Sequence, residues 1–120
     1  MLGTVTSQNG GLASISVGKQ QIDTVSGLAT GNKVTVLLRQ EDIIISLLSM
    51  KNAPSSARNN LAAKIIKIFL QGSQIRVTVD CGFPLVALIT RRSYEELGLG
   101  IGHEVIVSFK ASSVHLIHRR

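Results

Sequence analysis

The chain has 120 residues, enough for one ordinary domain or two very small ones, and units of the smaller size bury too little apolar surface to stand alone. Its 13 Lys and Arg against 7 Asp and Glu give a net charge of +6, which favours anionic partners, while a hydrophobic content of 44% excludes a disordered chain. No apolar run reaches the roughly 18 residues of a transmembrane helix, and the start MLGTVTSQNG has neither the basic beginning nor the apolar core of a signal peptide. The expectation is a cytoplasmic protein without direct membrane insertion, in which Cys81, with no second cysteine to pair with, is a buried, reduced thiol.

In chain order, LGTVTS from Leu2 is a poor helix and reads as a strand. GLATGNKVT, Gly27 to Thr35, lacks the glycine–lysine spacing of a nucleotide phosphate loop and reads as a turn into KVTVLLR, whose alternation points Val34, Val36 and Leu38 inward. SMKNAPSS, Ser49 to Ser56, is a polar, proline-bearing linker. LAAKIIKIFL keeps both helical and strand spacing, and is assigned as strand because its counterpart LGTVTS is no helix former. QIRVTVD points Ile75, Val77 and Val79 inward. In ITRRSYEELGLG one short helix is expected, capped by Thr90 or by Ser93, which has capping-box spacing to Glu96, and stopped by Gly98. GLGIGH follows this helix instead of opening one, so it is a turn and no dinucleotide loop. EVIVSFK points Val105, Val107 and Phe109 inward.

A duplication underlies these elements. GNKVTVLLRQEDIII, from Gly31, lies over GHEVIVSFKASSVHL, from Gly102, at a constant offset; LGTVTS lies over LAAKII, Leu2 on Leu61, at a smaller one. About a dozen residues, the helical segment, are therefore inserted in the second copy. The expected fold is all-β: two tandem small five-stranded barrels of the oligonucleotide-binding (OB) type, residues 1–48 and 55–120 joined by a linker at 49–54, the second barrel carrying the one short helix.

SSARNNLAAKI, Ser55 to Ile65, presents hydroxyls, amides and a guanidinium with no carboxylate nearby in sequence to receive them. Taken alone, Ser56 to Asn59 make an ordinary polar linker, Thr90 and Ser93 ordinary caps, and Lys110 a solvated strand end. In order and spacing together, SARNNLAAKI, VDCGFPLVALITRRSYEELGLGIGHEV and SFKASSVHLI resemble the molybdate-binding Mop domain, also called the transport-associated OB domain, over Ser55 to Ile117. LLRQEDIII in the first copy resembles the end of the first such domain in transporter ATPases, with Gln40 in place of a proline. Such domains occur as free molybdate-binding proteins, in a molybdate-dependent transcription regulator and as the C-terminal regulatory part of molybdate and tungstate ABC transporter ATPases.

The resemblance implies an oxyanion site: Ser56, Ala57, Arg58 and Asn59 from one subunit, and Thr90 and Ser93 with Lys110, Ala111 and Ser112 from its neighbour. A tetrahedral dianion needs donors on many sides and positive charge, which this set supplies. The donors at Ser56 to Asn59 are then expected to have no partner within the chain, because their partner is a ligand held between two chains. No complete site is expected in the first copy, where RQED stands in place of KASS.

The implied function is that of a regulatory tail of an ABC importer ATPase. Molybdate or tungstate is its ligand, a homodimer its assembly and the transporter's nucleotide-binding domain its partner, which would place it at the inner face of the cell membrane. No cofactor, metal or catalytic residue is expected: His103, His115 and His118 are not arranged as a metal pair, and no serine, histidine and acid constellation stands out. One alternative is a freestanding intracellular molybdate store or sensor. Another, a barrel binding single-stranded nucleic acid, has only Phe69, Phe83, Tyr94 and Phe109 for base stacking, so no nucleic acid partner is expected.

Overall fold

A computed structural model describes residues 1–50 and 54–119. Ten strands and one α-helix follow in chain order: β1 (Leu2–Asn9), β2 (Leu12–Val17), β3 (Gln20–Val25), β4 (Lys33–Leu38), β5 (Ile44–Leu47), β6 (Asn59–Gln71), β7 (Gln74–Asp80), β8 (Pro84–Thr90), α1 (Arg91–Leu97), β9 (Glu104–Phe109) and β10 (Val114–His118). The ambiguous LAAKIIKIFL is strand throughout, because alternate residues Leu61, Ala63 and Ile65 reach the core while Ala62 and Lys64 face solvent. The inward assignments hold for Val34, Val36, Ile75, Val77, Val79, Val105, Val107 and Phe109, all buried; Leu38 is half-buried.

Both sheets are antiparallel and five-stranded, in the orders β10-β4-β1-β2-β3 and β5-β9-β6-β7-β8. The sheets cross the sequence division at 49–54: each takes four strands from one copy and its fifth from the other. Of that linker, residues 51–53 lie outside the described residues. The exchange is reciprocal in register. Ile44 pairs with Ser108 just as His115 pairs with Leu37, and Leu47 with Val105 just as His118 with Val34. A single hydrophobic cluster runs through both units, including Ile43 and Ile45 from the first copy and Val114 from the second. Burying an isoleucine contributes about 1.5–3 kcal/mol, so the exchange ties two undersized cores into one.

The copies repeat at the level of single hydrogen bonds. Val5 N–H donates to Asn32 O at 2.9 Å and Gly31 N–H to Val5 O at 2.8 Å; Ile65 N–H donates to His103 O at 2.9 Å and Gly102 N–H to Ile65 O at 2.8 Å. A register shift follows each of these two residues, between Val5 and Ser7 and between Ile65 and Lys67. Pairing also corrects the alignment of the strand starts. Leu2 pairs with Thr35, and it is Ala62, not Leu61, that pairs with the equivalent Ile106. Leu2 is exposed and Leu61 buried, and a slip of one residue along a strand reverses which face each side chain takes.

On β9 alternation fails: Ile106 and Ser108 lie on the outward side yet are buried. The 3-10 turn Leu48–Met50 lies against this strand near its Val105 end, and the Ser108 hydroxyl is taken up by Asn60 Oδ1 at 2.6 Å. In the other sheet β3 and β10 approach each other, and the buried Thr24 hydroxyl donates to Val114 O at 3.2 Å, drawing the sheet towards closure.

Candidate functional site

The polar run preceding β6 is held locally. Ala57 N–H donates to Ser55 Oγ at 2.9 Å, Asn60 Nδ2 to Ala57 O at 2.9 Å, and Ser108 Oγ to Asn60 Oδ1 at 2.6 Å. Asn59 opens β6 and pairs with Phe109, the last residue of β9, so the chain that follows, Lys110 to Ser112, begins beside it. Two of the three expected donor groups, Ser56 to Asn59 and Lys110 to Ser112, are thus brought to one end of the β6–β9 ladder, so that Lys110 to Ser112, expected to act with Thr90 and Ser93 from the neighbouring subunit, stand beside Ser56 to Asn59 of their own chain. Ala57 and Ala111 are buried there, with the Ala57 N–H and carbonyl both engaged within the run, while Ser56, Arg58, Lys110 and Ser112 are exposed. Lys110 caps the 3-10 turn Ala111–Ser113 in extended conformation and makes no ion pair among the described residues.

The polar run does have a partner within the chain, contrary to expectation. Asp23 of β3 accepts from Arg58 Nε at Oδ2 (3.3 Å) and from Ser14 Oγ at Oδ1 (3.1 Å). The Asn59 amide spans the Asp23 backbone, accepting from its N–H at 2.7 Å and donating to its carbonyl at 2.9 Å. Asn59 is therefore a buried fastener between the two copies, and its side chain serves the fold. Asp23 was missed because it lies 35 positions from Arg58, in an unremarkable alternating strand.

The third group lies elsewhere. Thr90 ends β8 and pairs with Gln74, which pairs with Gln71 at the far end of β6 from Asn59. The 13 residues of β6, with a register shift between Ile65 and Lys67, run between the two half-sites, a path of at most about 40 Å at a rise of ~3.3 Å per residue. Thr90 is the helix cap, accepting from Ser93 N–H at 3.1 Å, and its hydroxyl donates to Ser93 Oγ at 3.0 Å. The expected pairing of Ser93 with Glu96 does not form; Glu96 takes Arg92 Nε at 2.9 Å instead. Gly98 ends the helix at φ 62°, as its sequence position implies. Arg91 anchors this end to the β6–β7 turn through its side chain on Gly72 O, at 2.9 Å, and its N–H on Ser73 O, at 2.9 Å.

In the first copy, Arg39 has the backbone of Lys110, with φ and ψ of −76° and 140° against −74° and 148°. Its charge is spent locally. Arg39 Nε donates to Glu41 at 2.7 Å, and that hydrogen bond, with the charges of Glu41 and Asp42, raises the guanidinium above its ordinary pKa. A cleft of about 470 Å3 between the copies sets Lys19 and Lys64 against Asp80 and Glu104, a balance of charge that gives an anion no advantage. Cys81 is buried and reduced: desolvation pushes its thiol above the ordinary value, and Sγ donates to Phe83 O at 3.3 Å. No cluster of three His, Cys, Asp or Glu that could hold a metal occurs among the described residues, and no helix there is long and apolar enough to cross a membrane.

Comparison with known proteins shows the family and the fold. The sequence profile of the TOBE domain matches residues 55–116. The molybdate/tungstate import ATP-binding protein WtpC of Pyrococcus abyssi (strain GE5 / Orsay) is 42% identical over 88 residues, covering 72% of this chain and 25% of that protein. The molybdenum import ATP-binding protein ModC of Haemophilus influenzae (strain ATCC 51907 / DSM 11121 / KW20 / Rd) is 35% identical over 85 residues, covering 70% and 24%. The chain thus spans about a quarter of the length of these relatives. Among solved structures, the cytoplasmic molybdate-binding protein ModG, with molybdate bound, has the same fold: TM-score 0.81 at 23% identity, covering 96% of this chain and 92% of ModG.

Proposed function

The chain belongs to the TOBE domain family, and from that premise we propose that it binds a tetrahedral oxyanion, molybdate or tungstate, between two copies of itself, as the regulatory tail of an ABC importer ATPase. The observation that carries this reading is the separation of the half-sites. Arg58 and Lys110 lie at one end of the long strand β6 and Thr90 and Ser93 at the other, so one chain cannot wrap an anion but two chains placed end against end can. A dianion leaving water loses strong solvation, and charge-assisted hydrogen bonds, at about 1.5–3 kcal/mol each, replace it better than neutral ones. Bound anion would hold two tails together and so disfavour the movement of attached ATPase domains that transport requires, a feedback on import. The relatives named for molybdate and tungstate import support the ligand and the setting.

A second reading, a freestanding oxyanion store or sensor, is favoured by the overlay on ModG along nearly the whole of both chains. The coding sequence immediately upstream separates the two, since only the first reading requires a nucleotide-binding domain there. Both predict the same chemistry, tested by calorimetric titration with molybdate, tungstate and sulfate. Molybdate and tungstate, alike in charge and nearly so in size, should bind about equally. The smaller sulfate should bind more weakly because it leaves donors unsatisfied. Absence of heat with all three would overturn the assignment.

A further inference from the structure

Asp23 brings a negative charge from the first copy to the residues assigned to an anion in the second. Its carboxylate is 3.3 Å from Arg58 Nε, and the clasp of Asn59 on its backbone fixes it there. The fold does not require an acid at this place. Ile22 and Thr24 point inward on β3 as Leu85 and Ala87 do on β8, so the counterpart of Asp23 in the second copy is Val86. We infer that Asp23 sets the charge selectivity of the oxyanion site, offsetting Arg58 and Lys110 to a single net positive charge and so weakening dianions more than monoanions. This inference rests on the oxyanion site proposed above and gives the first copy, which has no such donor set of its own, a part in it.

The ion pair is half exposed, so it adds little to the stability of the fold. Its effect is on the field that an arriving anion meets. Charges of −1 and −2 about 8 Å apart in a water-like dielectric repel enough to change binding about fivefold; with a monoanion the factor falls to about twofold. Two effects of Asp23 are possible in principle, and they differ in what they do to ligands of different charge. A residue that only orients Arg58 changes the binding of every tetrahedral anion alike; one that acts through its charge changes binding in proportion to the ligand's charge.

The test is calorimetric titration of molybdate and of perrhenate, a tetrahedral monoanion, into the wild-type chain and Asp23→Asn, which keeps an acceptor oxygen for Arg58 and turns an amide donor towards Ser14 Oγ. The variant should bind molybdate about fivefold and perrhenate about twofold more tightly, and both gains should shrink in high salt. Equal gains for the two anions, unchanged affinities or weaker binding of both would overturn the inference while leaving the oxyanion site in place. A wild-type chain that bound neither anion would remove the site itself, and the inference with it.

Discussion

Arg58 and Lys110 differ from the cations of the first copy in where their charge goes. Arg39 is closed onto Glu41 at 2.7 Å, Lys110 has no ionic partner among the described residues, and Arg58 shares only one nitrogen with Asp23. Replacing Arg58 or Lys110 by Ala should therefore weaken oxyanion binding about tenfold or more, since each ~1.4 kcal/mol is a factor of ten, with the fold intact because both side chains are exposed. Arg39→Ala should leave affinity nearly unchanged; if it abolished binding while Arg58→Ala and Lys110→Ala bound normally, the site would belong to the first copy. Cys81 yields a prediction of a different kind. Its folded thiol holds its proton to higher pH than the unfolded thiol does, so its contribution to stability is present below the ordinary thiol value and is lost as pH rises through the raised one. Urea unfolding at about pH 8 and about pH 10 should show a larger loss of stability in the wild type than in Cys81→Ala; equal losses would mean that the thiol is not desolvated in the folded chain.

Among the elements, those written in local pattern were the legible ones. Alternation of Val, Ile and Leu gave the strands, and Thr90 and Gly98 bounded the helix, because a two-residue period and a cap act over one turn of chain. Register needed the partner strand, and a slip of one residue at Leu2 went unseen until pairing fixed which face was buried. Gly3 is where that register is most tightly held: a Cβ there would lie 2.6 Å from Ile15 Cγ2 and 2.9 Å from Ser16 O, a backbone atom that cannot swing aside. Gly3→Ala should cost about 1–3 kcal/mol in denaturant unfolding through forced separation of β1 and β2. A variant as stable as the wild type would show that the two strands have room to part.

For the whole molecule, the exchange of fifth strands was not legible, because β5 and β10 present the same alternation to β9 and to β4 and nothing local chooses between them. For the candidate site the sequence offered residue types and their order, but neither the strand length that holds Thr90 and Ser93 away from Arg58 nor Asp23. That distance makes self-association a requirement of the account, with a dimer expected by light scattering and a strict monomer, with and without molybdate, counting against it. The most direct measurement mixes two defective chains. Arg58→Ala/Lys110→Ala and Thr90→Ala/Ser93→Ala each spoil one half of every site, the second also removing a helix cap at a cost of about 1 kcal/mol that circular dichroism would monitor. If each site joins halves from two chains, a refolded equimolar mixture should form dimers in which one site is built from both intact halves. Molybdate titration of the mixture should then recover about a quarter of the wild-type sites at wild-type affinity, while each variant alone shows none. Recovery of no sites from a mixture shown to form mixed dimers would contradict a site shared between chains.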